Sequence, residues 1–349
     1  MRASRRVDVS DVRAARERIA PFVHRTPLVR NRTLSERLGT HVYLKLEMFQ
    51  KTGAFKVRGA FNRMLTLTER EKRRGVIAVS AGNHAQAVAW AAHELGVRAL
   101  VLMPESTPEN YLHATRDYGA TVRLLPSLAD AMRAVPRYVE AGWTYVHPFA
   151  DPLVIAGQGT LGLEILEDLP MVTDVVVSIG GGGLAGGVAV AIRAERPDVR
   201  VWGVETEGAE TMTRALAAGH VVELTHVSSV ARTLCAPAVA EETFALAQQY
   251  LERVTVVSDA SAIEAQRFLL ERVKVLTEPA SSCTLAAADR LRGELGAHVV
   301  LILCGGNAQV DELGGPAPRR PFHRPPAGAA EAAAVRPARG RPPAVGGAA

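Results

Sequence analysis

A chain of 349 residues, 48% hydrophobic and 22% charged, is long enough to bury a large core in one or two domains. Its three cysteines form no close pair and no CxxC, which excludes a disulfide scaffold and a thiolate zinc site. No 18-residue apolar run free of glycine or charge offers a membrane span. The net charge of +5 arises entirely after residue 312, where six arginines stand against one glutamate. Residues 1–312 are therefore neutral and carry no net basic excess for nucleic acid. MRASRRVDVSDV lacks an apolar stretch behind its arginines, which argues against a secretory leader and leads us to expect a cytoplasmic protein.

Residues 10–20 have the composition of a short helix, ended by Pro21 and the His24-Arg25-Thr26-Pro27 segment. Val42, Leu44 and Leu46 alternate with Tyr43 and Lys45 as in a strand. Thr68-Glu69-Arg70-Glu71 has capping-box spacing. From Gly75 the pattern predicts strand 76–79, helix 84–94, strand 98–103, helix 108–118, strand 121–125 and helix 127–140. Helix 156–168 follows, then the near-continuous apolar run Val175–Ile179, suited to a parallel strand covered on both faces. Helix 184–195, strand 199–204 and further alternation lead to strand 298–303. Short apolar strands separated by helices are the pattern of an α/β fold with a parallel sheet. From Gly314 the composition turns to Pro, Ala, Gly and Arg, with eight of the 20 prolines in 316–343, and residues 313–349 are expected to be a disordered tail.

Four strings stand out. QKTGAFKVRGAFN at 50–62 holds Lys56 beside Phe55, and SAGNHAQ occupies 80–86. Gly180–Gly183 lie between an apolar strand and a helix starting near Leu184, where amides can curl around an anion and a helix N-terminus adds partial positive charge. CGGN closes the series at 304–307. Taken singly, these read as a surface lysine, two glycine turns and a small buried cysteine. No GxGxxG lies in the first βαβ unit and no GxxxxGK[ST] is present, so a nucleotide site is not indicated.

In this order, the four strings resemble the pyridoxal-phosphate enzymes of the tryptophan-synthase-β type, most closely the serine/threonine dehydratases, over roughly residues 8–312. The resemblance implies a fold type II pyridoxal-phosphate enzyme: two α/β domains, each with a twisted, mainly parallel sheet flanked by helices. Residues 1–73 and 151–312 would form the large cofactor-binding domain and 74–150 the small one. Lys56 would hold pyridoxal 5'-phosphate as a Schiff base and act as general base at the substrate Cα. Phe55 would pack beneath it, Gly180, Gly181, Gly182, Gly183 and Leu184 would cradle the phosphate, and Asn83 would bond the ring hydroxyl. Cys304 would face the ring nitrogen as a neutral partner, which favours β-elimination over transamination. Ser80, Ala81, Gly82, Asn83 and His84 would receive the substrate carboxylate. Glu278-Pro279-Ala280 resembles the turn found beside this active site.

Several positions depart from the family pattern. Ala54 stands where relatives have serine, removing a hydroxyl near the phosphate. Ala81 stands where racemases often have a reprotonating serine, which argues against efficient racemisation. Arg232, in Ser228–Leu234, replaces a DG-containing loop and would favour an anionic or extended substrate side chain if it faces the pocket. Glu205 and the Ala209 carbonyl are candidates for Mg²⁺, with Thr211 a weak oxygen ligand where relatives have an acid. The implied activity is dehydration of a 3-hydroxy amino acid, L-threonine or L-serine first, to a 2-keto acid and ammonia by a homodimer. The alternatives are 3-hydroxyaspartate or phenylserine as substrate, β-replacement or racemase chemistry, and a non-catalytic binding homologue.

Overall fold

The protein is described here by a computed structural model covering residues 6–309 and the backbone of Ala334–Val335. Its strands, in chain order, are β1 Leu28–Arg30, β2 His41–Leu46, β3 Val76–Val79, β4 Ala99–Pro104, β5 Thr121–Leu125 and β6 Thr144–Tyr145. They continue with β7 Asp174–Ser178, β8 Arg200–Thr206, β9 Arg253–Val257, β10 His298–Leu303 and β11 Ala334–Val335. One sheet runs β1-β2-β10-β7-β8-β9-β11, the other β5-β4-β3-β6. The second is parallel throughout. In the first, β2 to β9 are parallel, and only the edge strands β1 and β11 pair antiparallel. This is the expected α/β architecture of two helix-flanked sheets. The tail expected at 313–349 lies outside the described residues, apart from the two that form β11.

The helices are α1 Val9–Ile19, α2 Arg32–Leu38, α3 Lys56–Met64, α4 Glu69–Arg74, α5 Asn83–Glu94, α6 Glu109–Asp117 and α7 Leu128–Glu140. After them come α8 Pro152–Asp168, α9 Gly183–Glu195, α10 Thr211–Ala218, α11 Glu241–Tyr250, α12 Asp259–Phe268 and α13 Pro279–Arg290. Local chemistry sets their starts. Asp8 and Thr68 each close a reciprocal capping box, at α1 and at α4, the second as its spacing predicts. Helix α8 begins four residues before the predicted start, because Asp151 caps it and Pro152 suits its first turn.

Burial follows strand type. Every residue of β7 is buried, as a central parallel strand requires, whereas β5 at the edge of the smaller sheet is largely exposed. Helix α3 sits between the two cores. Phe55, just before it, belongs to the core of the larger sheet, while Val57, Ala60, Phe61 and Met64 pack into the core shared with α5, β3 and β4. Each of the larger apolar side chains contributes about 2–3 kcal/mol by leaving water. Gly157 of α8 faces α3 so closely that a Cβ there would stand 2.7 Å from the Arg58 carbonyl. Any side chain at 157 would push α3, and Lys56 with it, away from α8.

Charge fixes the same helix. Arg58 is fully buried and donates through Nε and Nη2 to Glu47 at 2.9 and 2.8 Å, and through Nη1 and Nη2 to Glu164 at 2.6 and 3.0 Å. Lys45, also fully buried, reaches Glu164 at 2.6 Å and the Thr26 carbonyl at 2.7 Å. The Thr26 hydroxyl donates to Glu47 at 2.5 Å. Two cations and two carboxylates thus balance in a dry cluster joining β2, α3 and α8. Burial pushes the Glu47 carboxyl up, but the charge and hydrogen bonds of Arg58 outweigh it and hold Glu47 below the ordinary carboxylate range.

Candidate active site

Lys56 opens α3, and its amine donates to the Pro148 carbonyl at 2.8 Å, with the Phe55 ring centroid 5.2 Å away. Burial brings that amine down to about 8, against the pull of the nearby Glu278 carboxylate. The lysine segment is tied to the CGGN string by backbone bonds. Phe55 N–H donates to the Cys304 carbonyl at 3.0 Å, and Ala54 bridges Gly305. Cys304 follows β10 with its sulfur 3.4 Å from the Ser178 hydroxyl and 3.3 Å from that of Ser281. Burial pushes its thiol up to about 12, so it is neutral at physiological pH.

The glycine run turns from β7 into α9. Gly182 has φ +90°, a conformation that side chains disfavour, and no described side chain caps the helix it starts. Phe149 lies flat against the run, so a Cβ on Gly181 would stand 2.2 Å from its ring. The run and the start of α9 therefore lie against the segment that also carries the Pro148 carbonyl.

The string Ser80–His84 connects β3 to α5, whose start likewise has no side-chain cap. Gly82 N–H donates to the Ser80 hydroxyl at 3.1 Å, and Ala81 is half-buried beside it. Asn83 is buried and donates to Glu278 Oε1 at 2.8 Å. His84 Nε2–H donates to the Val146 carbonyl at 2.8 Å, and burial together with the Lys56 charge brings the ring down to about 3. The same two causes bring His147 down to about 4. Both imidazoles are neutral, so what reaches an anion from this loop is backbone amide rather than imidazolium.

Two further sequence-derived candidates are Arg232 and Glu205. Arg232 lies exposed in the short turn Arg232–Leu234, and the residue of that turn facing the site is Thr233. Its methyl lies 3.2 Å from where a Gly82 Cβ would be, and its hydroxyl donates to Glu278 Oε1 at 3.2 Å. Glu205 is fully buried and accepts from Met212 N–H at 2.7 Å, Thr213 N–H at 2.8 Å and the Thr213 hydroxyl at 2.7 Å. Burial pushes its carboxyl up to about 7, while these three donors pull the other way. Thr211 donates its hydroxyl to the Ala236 carbonyl and Glu210 is paired with Arg214. Among the described residues no cluster of three or more His, Cys, Asp or Glu could hold a metal. Both Glu205 oxygens thus cap the start of α10, a role that does not call on the Mg²⁺ considered for Glu205 and Ala209. EDTA treatment, and Mg²⁺ added afterwards, should each leave the melting temperature unchanged in differential scanning calorimetry. A loss reversed by Mg²⁺ would contradict the capping role.

The decisive comparison is with a family model described as "Pyridoxal-phosphate dependent enzyme", which matches residues 19–305. The chain belongs to that family. An L-threonine ammonia-lyase of Thermotoga maritima is 42% identical over 309 residues, 88% of this chain and 77% of that protein. The maize serine racemase structure superposes with a TM-score of 0.85 at 33% identity, covering 88% of this chain and 96% of that one. A threonine deaminase structure from T.th. gives 0.82 at 40% identity, with 86% and 99% covered. The site of this pyridoxal-phosphate enzyme fits the cofactor on its own geometry: uncapped helix amides above a glycine cradle, a lysine held near neutrality and a neutral thiol beside two hydroxyls.

Glu278, Asn307, Ser178, Ser281 and Phe149 were given no role by sequence reasoning, yet all border this centre. The only sequence signals were that Asn307 closes the CGGN string and Glu278 opens the turn into α13. Among the described residues no helix is long and apolar enough to cross a membrane.

Proposed function

We propose that the protein is a dehydratase converting L-threonine or L-serine to a 2-keto acid and ammonia. The observation that carries this reading is the joining of Lys56, its amine held near neutrality, to the neutral Cys304 by backbone bonds at the seam of the two cores. The names of the similar ammonia-lyase and deaminase support it. Bound pyridoxal phosphate supplies an electron sink for the pair released at the substrate Cα. The amides of Gly180–Leu184 and the positive end of α9 hold its phosphate. Asn83 would address its ring hydroxyl, and Cys304 would face the ring nitrogen without a charge to give it. The backbone of Ser80–His84 receives the substrate carboxylate. Lys56 would remove the Cα proton, one proton would be delivered to the β-hydroxyl so that it departs as water, and the released enamine would tautomerise and take up water to give keto acid and ammonia. Ala81 offers no proton to the opposite face of Cα, which sets the reading apart from racemisation.

The test offers the cofactor-loaded protein L-threonine, L-serine, threo-3-hydroxyaspartate and 3-phenylserine, with keto acid and ammonia quantified. Equal amounts of both products, formed fastest from threonine or serine, are expected. Preference for hydroxyaspartate would move Arg232 into the pocket, and racemised substrate without ammonia would overturn the reading.

We further infer a homodimer. Phe49 and Leu276 are large exposed apolar side chains beside the close contact of Met48 with Gly306. Light scattering giving the mass of one chain would remove this. Three unpaired cysteines suit the cytoplasm as its location, and secretion of the native protein would contradict that.

A further inference from the structure

The Asn83 side chain has more partners than a residue merely facing a ligand needs. Its Nδ2 donates to Glu278 Oε1 at 2.8 Å, and its Oδ1 accepts from Asn307 Nδ2 at 2.9 Å. Asn307 uses its second N–H on the Thr52 carbonyl at 2.8 Å, so both of its donors are engaged. Its own carbonyl accepts from the Tyr111 hydroxyl of α6. Gly53, with φ +70°, lies so close that a Cβ there would stand 2.7 Å from Asn307 Oδ1. Asn307 is thus clamped between the lysine segment and the helices that follow β3 and β4.

This arrangement permits one orientation of the Asn83 amide. Turned over, its oxygen would meet the Glu278 carboxylate and its NH₂ group would meet that of Asn307, so like would face like at both ends. In the observed orientation the oxygen is occupied and one N–H remains to be given away. We propose that Asn307 is a positioning residue that holds Asn83 as a hydrogen-bond donor towards the cofactor's ring hydroxyl. A donor there favours the ionised form of that oxygen. The proposal rests on the reading above that Asn83 faces the ring.

A double-mutant cycle on cofactor affinity tests it, by titrating the apoprotein with pyridoxal phosphate and following absorbance. Asn307→Asp keeps the size of the side chain but removes its donors, so that a carboxylate faces the Asn83 oxygen and the observed orientation is no longer held. Asn307→Asp and Asn83→Ala are each expected to raise Kd about tenfold, the effect of one hydrogen bond to a charged group. The double variant should bind about as Asn83→Ala alone, because Asn307 acts through Asn83. Asn307→Asp should also move absorbance from the visible band to the near-ultraviolet at equal occupancy, which a purely structural role would not do. Asn307→Ala, which adds no charge, replaces it in the cycle if the aspartate variant melts early as apoprotein. Additive effects, or Asn307 variants that bind normally while Asn83→Ala does not, would overturn the proposal alone. An Asn83→Ala variant with unchanged affinity would sink the reading of Asn83 and the proposal together.

Discussion

Lys56→Ala is expected to lower keto-acid formation by about 10⁴-fold and to abolish the visible band of the loaded protein. The amine makes its hydrogen bond to a carbonyl, not to a carboxylate, and is half-buried. Burial therefore wins, and the amine falls from the ordinary lysine range to about 8. The pH profile follows directly. Below that value most of the population is ammonium and cannot attack an aldehyde or accept a proton; above it most is free amine. Capture of pyridoxal phosphate by apoprotein should accelerate with pH up to about 8 and then level off. Lys56→Arg separates charge from proton transfer, since a guanidinium keeps the charge but supplies no free base. It should lose as much activity as the alanine variant. A capture rate independent of pH between about 6.5 and 9 would contradict the shifted amine.

The sequence exposed those parts of the molecule in which neighbours along the chain do the work. Val175–Val177 read as a buried parallel strand because nothing polar interrupts them, and Thr68–Glu71 as a helix start because both partners of the box are local. The glycine run was equally open, since strand, turn and helix start lie within a dozen residues. What stayed hidden joins distant positions. Glu278 meets Asn83 across 195 residues, Asn307 meets it across 224, and Ser178 meets Cys304 across 126. None of these pairs has a local pattern: the partners of Asn83 come from across the two sheets, and Ser178 meets Cys304 because β7 and β10, distant in the chain, are neighbours in one sheet. Arg232 shows the converse. Its charge stands out in the sequence, whereas the contact with Glu278 comes from the less conspicuous Thr233.

The charge cluster under α3 was invisible for the same reason, and its disruption should have the largest effect on stability. Lys45, Glu47, Arg58 and Glu164 look like ordinary surface charges in the sequence, yet both cations are fully buried. Arg58→Met deletes one cation and leaves Glu47 and Glu164 sharing Lys45 in a dry site. The expected cost is about 3–5 kcal/mol, the range for breaking one side of a buried ion pair. Denaturant unfolding of the apoprotein measures it. Arg58→Lys should recover only part of this, because an ammonium cannot bond two carboxylates in the forked geometry seen here. Since Glu47 lies below its unfolded value, its contribution is complete at neutral pH. It is lost as pH falls through the depressed folded value, so the wild type should lose an increment on acidification that Arg58→Met lacks. The consequence reaches the active site, because α3 carries Lys56 two residues before Arg58. A variant that folds but has lost this anchor should bind pyridoxal phosphate more weakly even with every cofactor contact intact. Equal stability and equal cofactor affinity in Arg58→Met would show that the cluster contributes nothing that a methionine side chain cannot replace.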